Sequence, residues 1–370
     1  MRKEIHFYLI FSQQRFPTDM KLGIFYCLTA AVALLTFSSC HHDEPNPIKP
    51  VEERSILMVN GIGQMCDFSG EVISELPDCK AVSQIIVDGN DYFVAGSSTK
   101  DKVGYWKNGK WNTLHVDFVD DVDHRTFGIG KWEYYIYLLD LPNVLKNSGI
   151  FALRNSADFQ AARHGISVSE GVCRVVGSDL SKEPVRARVP VIYNEYKGAY
   201  VSERLTLPDG VYEGEAMAVH AFDRDHVVVG GYVGKEPAIW IDGQLQILPR
   251  PHNVSNGSNG VPDGYVNAVT RVDGHICAAG AEFYDENNTV AIAWLDGVPQ
   301  HLKANDDETF VSSEVVDIQT YGTDVYILTH EFDTVDKGDY VSEVLSSVLW
   351  MNNKVVGKVL YKGIVSFAVY

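Results

Sequence analysis

One short design recurs along this chain and limits the folds it can adopt. Val87-Asp88-Gly89 leads into DYFVAG, ending at Gly96, and then into Trp106-Lys107-Asn108-Gly109. Phe222-Asp223-Arg224 leads into HVVVGG, ending at Gly231, and then into Trp240-Ile241-Asp242-Gly243. Val272-Asp273-Gly274 leads into HICAAG, ending at Gly280, and then into Trp294-Leu295-Asp296-Gly297. A degenerate copy runs from Tyr321-Gly322-Thr323-Asp324 through VYILTH to Trp350-Met351-Asn352-Asn353.

Each part of the design has a physical reason. Asp-Gly and Asn-Gly pairs allow the positive φ angles of tight hairpin turns. Runs such as YFVAG and HVVVGG are β-branched and aromatic, as strands require. The glycine closing the second strand permits a bulge or a close backbone approach. The tryptophan supplies a large apolar surface for packing one sheet on the next.

Weaker copies fill the gaps. Gly130-Lys131-Trp132-Glu133 leads to YYIYLLD and then to Gly149-Ile150-Phe151-Ala152-Leu153. Val172-Cys173-Arg174-Val175 leads to Val191-Ile192-Tyr193-Asn194. The copy beginning SILMVNG lacks a first strand, and the chain ends on a surplus one, Gly363–Tyr370. A strand missing at one end and spare at the other predicts ring closure. Four-strand repeats of about 40–55 residues are the mark of a β-propeller. The expected fold is therefore all-β: a propeller closed by pairing of the C-terminal strand with the N-terminal blade. Taking Cys66, Trp106, Phe151, Tyr193, Trp240, Trp294 and Trp350 as equivalent third-strand positions gives about seven four-stranded blades. Six or eight blades, or a pair of β-sandwiches, suit the same strand spacing.

The first fifty residues have a different character. Met20-Lys21 and the apolar run LGIFYCLTAAVALLTF read as a secretory signal, too short for a membrane span of about 20 residues. Met20 is the expected start of translation. Phe37-Ser38-Ser39-Cys40 resembles a bacterial lipobox, in which Cys40 carries the lipid; Phe37 stands where an aliphatic residue is usual. His41-His42-Asp43-Glu44 after it resembles the surface-export signal of Bacteroidetes lipoproteins. That resemblance implies an outer-membrane, lipid-anchored protein at the cell surface. The expected organisation is a leader over 1–39, a polar, Pro-rich tether over 40–51, and a propeller over 52–370.

The chain carries 31 basic and 49 acidic residues, a net charge of −18. Loss of the leader, with Arg2, Lys3, Arg15 and Lys21 against Glu4 and Asp19, makes it more acidic still. Such a balance argues against nucleic acid and against adsorption to anionic lipid. Membrane association is then left to the lipid. The cysteines show no CxxC, so neither a zinc ribbon nor a redox motif is indicated. Cys173 and Cys277 fall in strand patterns as buried thiols. Cys66 and Cys79 are the candidates for a bridge in an oxidising compartment.

Blade geometry places the long connections, near residues 115–124, 140–148, 177–188, 249–264, 282–289, 305–309 and 331–342, on one face. Ligand-binding loops belong on rigid scaffolds, so this is the expected working face. Asp117, Asp120, Asp121, Asp285, Tyr232, Tyr284 and Tyr340 are its candidate ligand-binding residues. Calcium, which takes six to eight oxygens, is the cofactor the acidic loops would suit, but no DxDxDG spacing occurs. The tyrosines suit stacking on sugars. Asp333-Thr334-Val335 resembles the O-glycosylation sequon of Bacteroidetes secreted proteins, marking Thr334.

No GxSxG, HExxH, phosphate-binding loop, sialidase Asp-box or WD dipeptide occurs. The expected function is a non-enzymatic binding protein for a glycan or a protein. A polysaccharide hydrolase or lyase, or a structural subunit of an outer-membrane complex, are the alternatives.

Overall fold

Twenty-eight antiparallel strands pair into seven four-stranded sheets. The structure is a computed structural model. It describes residues 54–370 apart from 68, 101, 115–125, 141–142, 148, 154–158, 182–185, 197, 256–260, 286–287, 304–311, 334–342 and 360–362. Blade 1 spans Ile56–Glu75 and borrows Ile364–Val369 as its inner strand. Blades 2 to 7 follow in order as Cys79–Thr113, Thr126–Ala152, Gln160–Arg204, Gly214–Ile247, Gly264–His301 and Ser312–Val359. The chain is a seven-bladed β-propeller.

The seam closes as the strand count predicts. Ile56 pairs with Val369, Met58 with Phe367 and Asn60 with Ile364, and Ser55 and Tyr370 exchange both backbone hydrogen bonds at 3.0 Å. Ser366, fully buried on this strand, accepts from the Ile85 N–H at 3.3 Å and donates to Asp317 Oδ2 at 2.5 Å. One hydroxyl thus ties blade 1 to blades 2 and 7 around the axis. Similar links join other inner strands: Ile129 N–H to Gln84 Oε1 (2.9 Å), Ala221 N–H to Ser167 Oγ (2.9 Å), and Asn267 Nδ2 to the Val315 carbonyl (2.7 Å).

The repeated residues each have a place. In blades 2 to 7 the inner strand carries a bulge, where the register slips beside Val82, Thr126, Ala161, Ala216, Val266 and Val315. Opposite four of these stand Gly96, Gly177, Gly231 and Gly280. A Cβ on Gly280 or Gly231 would lie 1.9 Å from the carbonyl oxygen of Tyr265 or Glu215. The bulged carbonyl occupies the space a side chain needs.

Trp106, Trp240 and Trp294 are fully buried, each in a cluster shared with the preceding blade. Their indole N–H groups donate to the carbonyls of Pro77 (3.0 Å), Thr206 (2.8 Å) and Pro249 (2.8 Å). The core is therefore a set of seven inter-blade clusters rather than one central mass. Asn108, Asp242, Asp296 and Asn352 take positive φ near 49° at the turn after the third strand. Their side chains accept from the backbone N–H of Tyr92, Val227, Ile276 and Val325, at 2.8–3.0 Å. The turn residue thus pins the start of the second strand as well as reversing the chain.

Three expectations are corrected. Phe151 lies on the outer strand of blade 3, and Leu145 holds the third-strand position beside Leu138 and Ile150. Residues 140–148 are consequently no long loop, because Asn143–Lys146 is the third strand. Cys66 and Cys79 are not bridged by a disulfide. Cys66 packs in the cluster shared with blade 7, whereas Cys79 packs in the cluster shared with blade 2, so blade 1 stands between them. Burial pushes the Cys79 thiol up to about 11.

Candidate functional site

Among the described residues, a cluster of histidine and carboxylate side chains stands where blade 5 hands over to blade 6. Arg250 organises this connection. Its side chain is nearly buried and grips Glu236 through Nε to Oε2 (2.7 Å) and Nη2 to Oε1 (3.0 Å). Its Nη1 donates to the Val254 carbonyl at 2.7 Å, folding the segment over the blade edge. Paired guanidinium–carboxylate bonds of this kind fix geometry as well as charge.

That fold carries His252 onto Glu282, near the end of the second strand of blade 6. His252 Nδ1 lies 3.0 Å from Glu282 Oε1. His301, ending the outer strand of the same blade, brings Nε2 to 2.5 Å from that oxygen. The two imidazoles stack at 4.3 Å with 19° between their planes, and Tyr284 meets His252 edge-on at 4.6 Å. The Glu282 side chain is 0% exposed, and its second oxygen, Oε2, has no hydrogen-bond partner among the described residues. His252 and His301 are 29% and 26% exposed, so one side of the group opens to solvent.

A second polar group lies one blade back from this cluster, on blade 5. Burial raises Glu215 above the usual carboxylate range and pushes Tyr232 up to about 12. Their side chains meet at 3.5 Å, and Ser178 also donates to Glu215. Burial raises Glu314 as well, against the opposing field of Arg163.

A cavity of about 550 Å³ occupies the axial channel at the other end, among the short turns. Asp88, Trp132, His220, Asn267, Thr270 and Gln319 are among its lining residues. Lys131 forms an ion pair with Asp88 and donates to the Glu133 carbonyl. Burial, with a smaller push from Arg271, lowers His220 to about 4, leaving it neutral near pH 7. Asp317 is held by Ser366 and by the Ile318 N–H at 2.8 Å. Asn267 Oδ1 is buried without a partner among the described residues.

Of the residues singled out from sequence, Tyr284 belongs to the His252–Glu282–His301 group and Tyr232 to the Glu215 group. Asp285 closes its own loop, accepting from the Asn288 backbone at 2.8 Å. Asp117, Asp120, Asp121, Tyr340, Thr334 and Cys40 lie outside the described residues. His252, Glu282 and His301 were not anticipated. They are 30 and 19 residues apart, and no local spacing marks them. In the sequence Trp132 stands only within the segment Gly130–Glu133 that leads into YYIYLLD.

No protein-family model matches this chain, and no curated protein does. Solved structures share its fold at low identity. It is similar to a puromycin-hydrolyzing peptidase of Mycobacterium tuberculosis, at 13% identity and a TM-score of 0.51, over 86% of this chain and 55% of that one. Apo AztD from Citrobacter koseri aligns at 9% identity and a TM-score of 0.46, over 86% of this chain and 98% of that one. At such identities only the propeller architecture is shared.

Proposed function

We propose that this protein is a lipid-anchored, non-enzymatic propeller that binds an uncharged glycan in the axial cavity. The observation carrying this is the hydrogen-bonding lining of the cavity wall beside one aromatic face. About 550 Å³ falls in the range of small-ligand sites. Lys131 pairs with Asp88 there, and the other lining carboxylates, Glu133 and Asp317, are acceptors for sugar hydroxyls. Other groups facing the space include a neutral imidazole, an amide and hydroxyls, which pair with sugar hydroxyls without stranding a charge. Trp132, packed in part on the core between blades 3 and 4, supplies an aromatic surface for a sugar ring. Cys40 provides the anchor, and the acidic chain relies on it for membrane association. A surface location in the outer membrane follows from the tether's likeness to Bacteroidetes lipoproteins.

The test is a glycan array probed with the soluble form beginning after the tether. Binding to neutral glycans should fall about 10-fold or more in Trp132→Ala, since a base- or sugar-sized ring stacked on an aromatic contributes about 1–3 kcal/mol. Binding that ignores this substitution would sink the cavity as the site. No glycan binding, with co-purification of another membrane protein, would favour a structural subunit. A second reading rests on Glu215 and Glu314, two carboxyls raised by burial on inner strands, as a general acid must be. Release of reducing ends from a bound glycan would move the assignment to a hydrolase.

A further inference from the structure

We propose that His252, Glu282 and His301 form a binding site for one divalent transition-metal ion, zinc in the first instance. The site stands on the long-connection face, away from the axial cavity, and does not depend on glycan binding.

Three observations meet here. The first is the donor set. Two imidazole nitrogens and one carboxylate are a recurrent three-residue shell for zinc. A tetrahedral ion at 2.0–2.1 Å needs donor atoms about 3.4 Å apart. All three donor atoms here lie within 4.8 Å of one another, two of the pairs at 3.0 and 2.5 Å, so small side-chain rotations open the space.

The second is Glu282 itself. A carboxylate removed from water is costly unless it is paired or coordinates a metal. Glu282 is fully buried, both histidines crowd its Oε1, and Oε2 has no partner among the described residues. Arg250 acts on it only through its field, because the guanidinium's hydrogen bonds go to Glu236, Val254 and Asn253. A dication at the focus would neutralise the carboxylate that the histidines alone only solvate.

The third is rigidity with one open side. Glu282 and His301 sit on strands of one blade, and His252 is set by the Arg250 clamp and the Tyr284 ring. The partial exposure of both histidines leaves the fourth coordination position to water or to an exchangeable ligand. Oxygen-only ions such as calcium and magnesium are disfavoured by two nitrogen donors.

The experiment is zinc titration of the mature full-length chain by calorimetry, with thermal melts alongside. His41→Ala/His42→Ala serves as the background, so that the tether histidines do not contribute. One equivalent of zinc should bind and raise the melting temperature. Cobalt(II) should give the visible bands of a tetrahedral site. Glu282→Gln keeps the volume and removes the charge. It should melt at or above the metal-free wild type, yet lose at least 10-fold in zinc affinity and most of the zinc-induced shift. His301→Ala should do the same to affinity. A well-folded background protein that binds no zinc overturns the proposal. So does zinc binding that Glu282→Gln and His301→Ala leave unchanged.

Discussion

His330 stands on the second strand of blade 7, buried at 9% exposure, with a ring bond to the backbone of Ile364 on the closing strand. Its Nε2 is buried without a partner among the described residues. Burial lowers its pKa from 6.5 to about 4. The sign follows directly: between pH 6.5 and about 4 the unfolded chain takes up a proton that the folded one refuses. The contribution is fully present above pH 6.5 and is lost as pH falls through that window, reaching at most about 3 kcal/mol. His220 shifts the same way and adds to the slope. His330→Gln should flatten the fall in urea midpoint between pH 7 and pH 4 relative to wild type. Parallel pH profiles for the two proteins would contradict this. The histidine was visible in VYILTH as a residue at the end of a strand. That its ring lies against the last strand of the chain was not, because the contact spans the ring's only chain break.

At the scale of the element, the recurring unit is a bulge paired with a glycine. Gly280 faces Val266, and the Tyr265 carbonyl fills the space above it. Gly280→Ala should cost about 1–3 kcal/mol, the usual price of overpacking, measured by equilibrium urea unfolding. A loss under about 0.5 kcal/mol would mean that the bulge relaxes freely. Blade 7 shows the alternative solution. There Thr329 stands opposite Val315, and its hydroxyl accepts the Trp350 indole N–H at 2.9 Å. Elsewhere that proton goes to a carbonyl of the preceding connection, as with Trp294 and Pro249. The degenerate copy is thus a working variant of the same packing. The strand and turn grammar could be read because it is local: Asp-Gly, Asn-Gly and alternating apolar runs act within a few residues. Blade 3 misled for the same reason. Its third strand is only Asn143–Lys146, with no tryptophan, while Phe151 next door looks more like the marker.

At the scale of the molecule, the closing strand holds the wheel. Ile364, Phe367 and Ala368 are buried to 2% exposure or less. Each such side chain of Ile or Phe size contributes about 1.5–3 kcal/mol by burial alone. Removing 363–370 also takes Ser366 from its bonds to blades 2 and 7 and bares the edge of Ile56–Asn60. Against a typical net stability of about 5–15 kcal/mol, the truncated chain should fail to fold as a monomer. Loss of the cooperative melt and aggregation on gel filtration would show it. A truncated chain melting within a few degrees of the full one would mean that blade 1 stands without closure.

By itself the sequence determined the all-β four-strand repeat, the turn chemistry and the closing partnership, and put the blade count at about seven, since each depends on neighbours or on a count of like units. Only the tertiary structure decided which side chains meet. Glu282, His252 and His301 come together because a connection folds around Arg250 and two strands of one blade end at the same height. Trp132 and His220 share a cavity because blades 3 and 5 face one axis. Those meetings depend on the placement of whole blades and on a few rotamers, and neither leaves a period or a spacing in the chain.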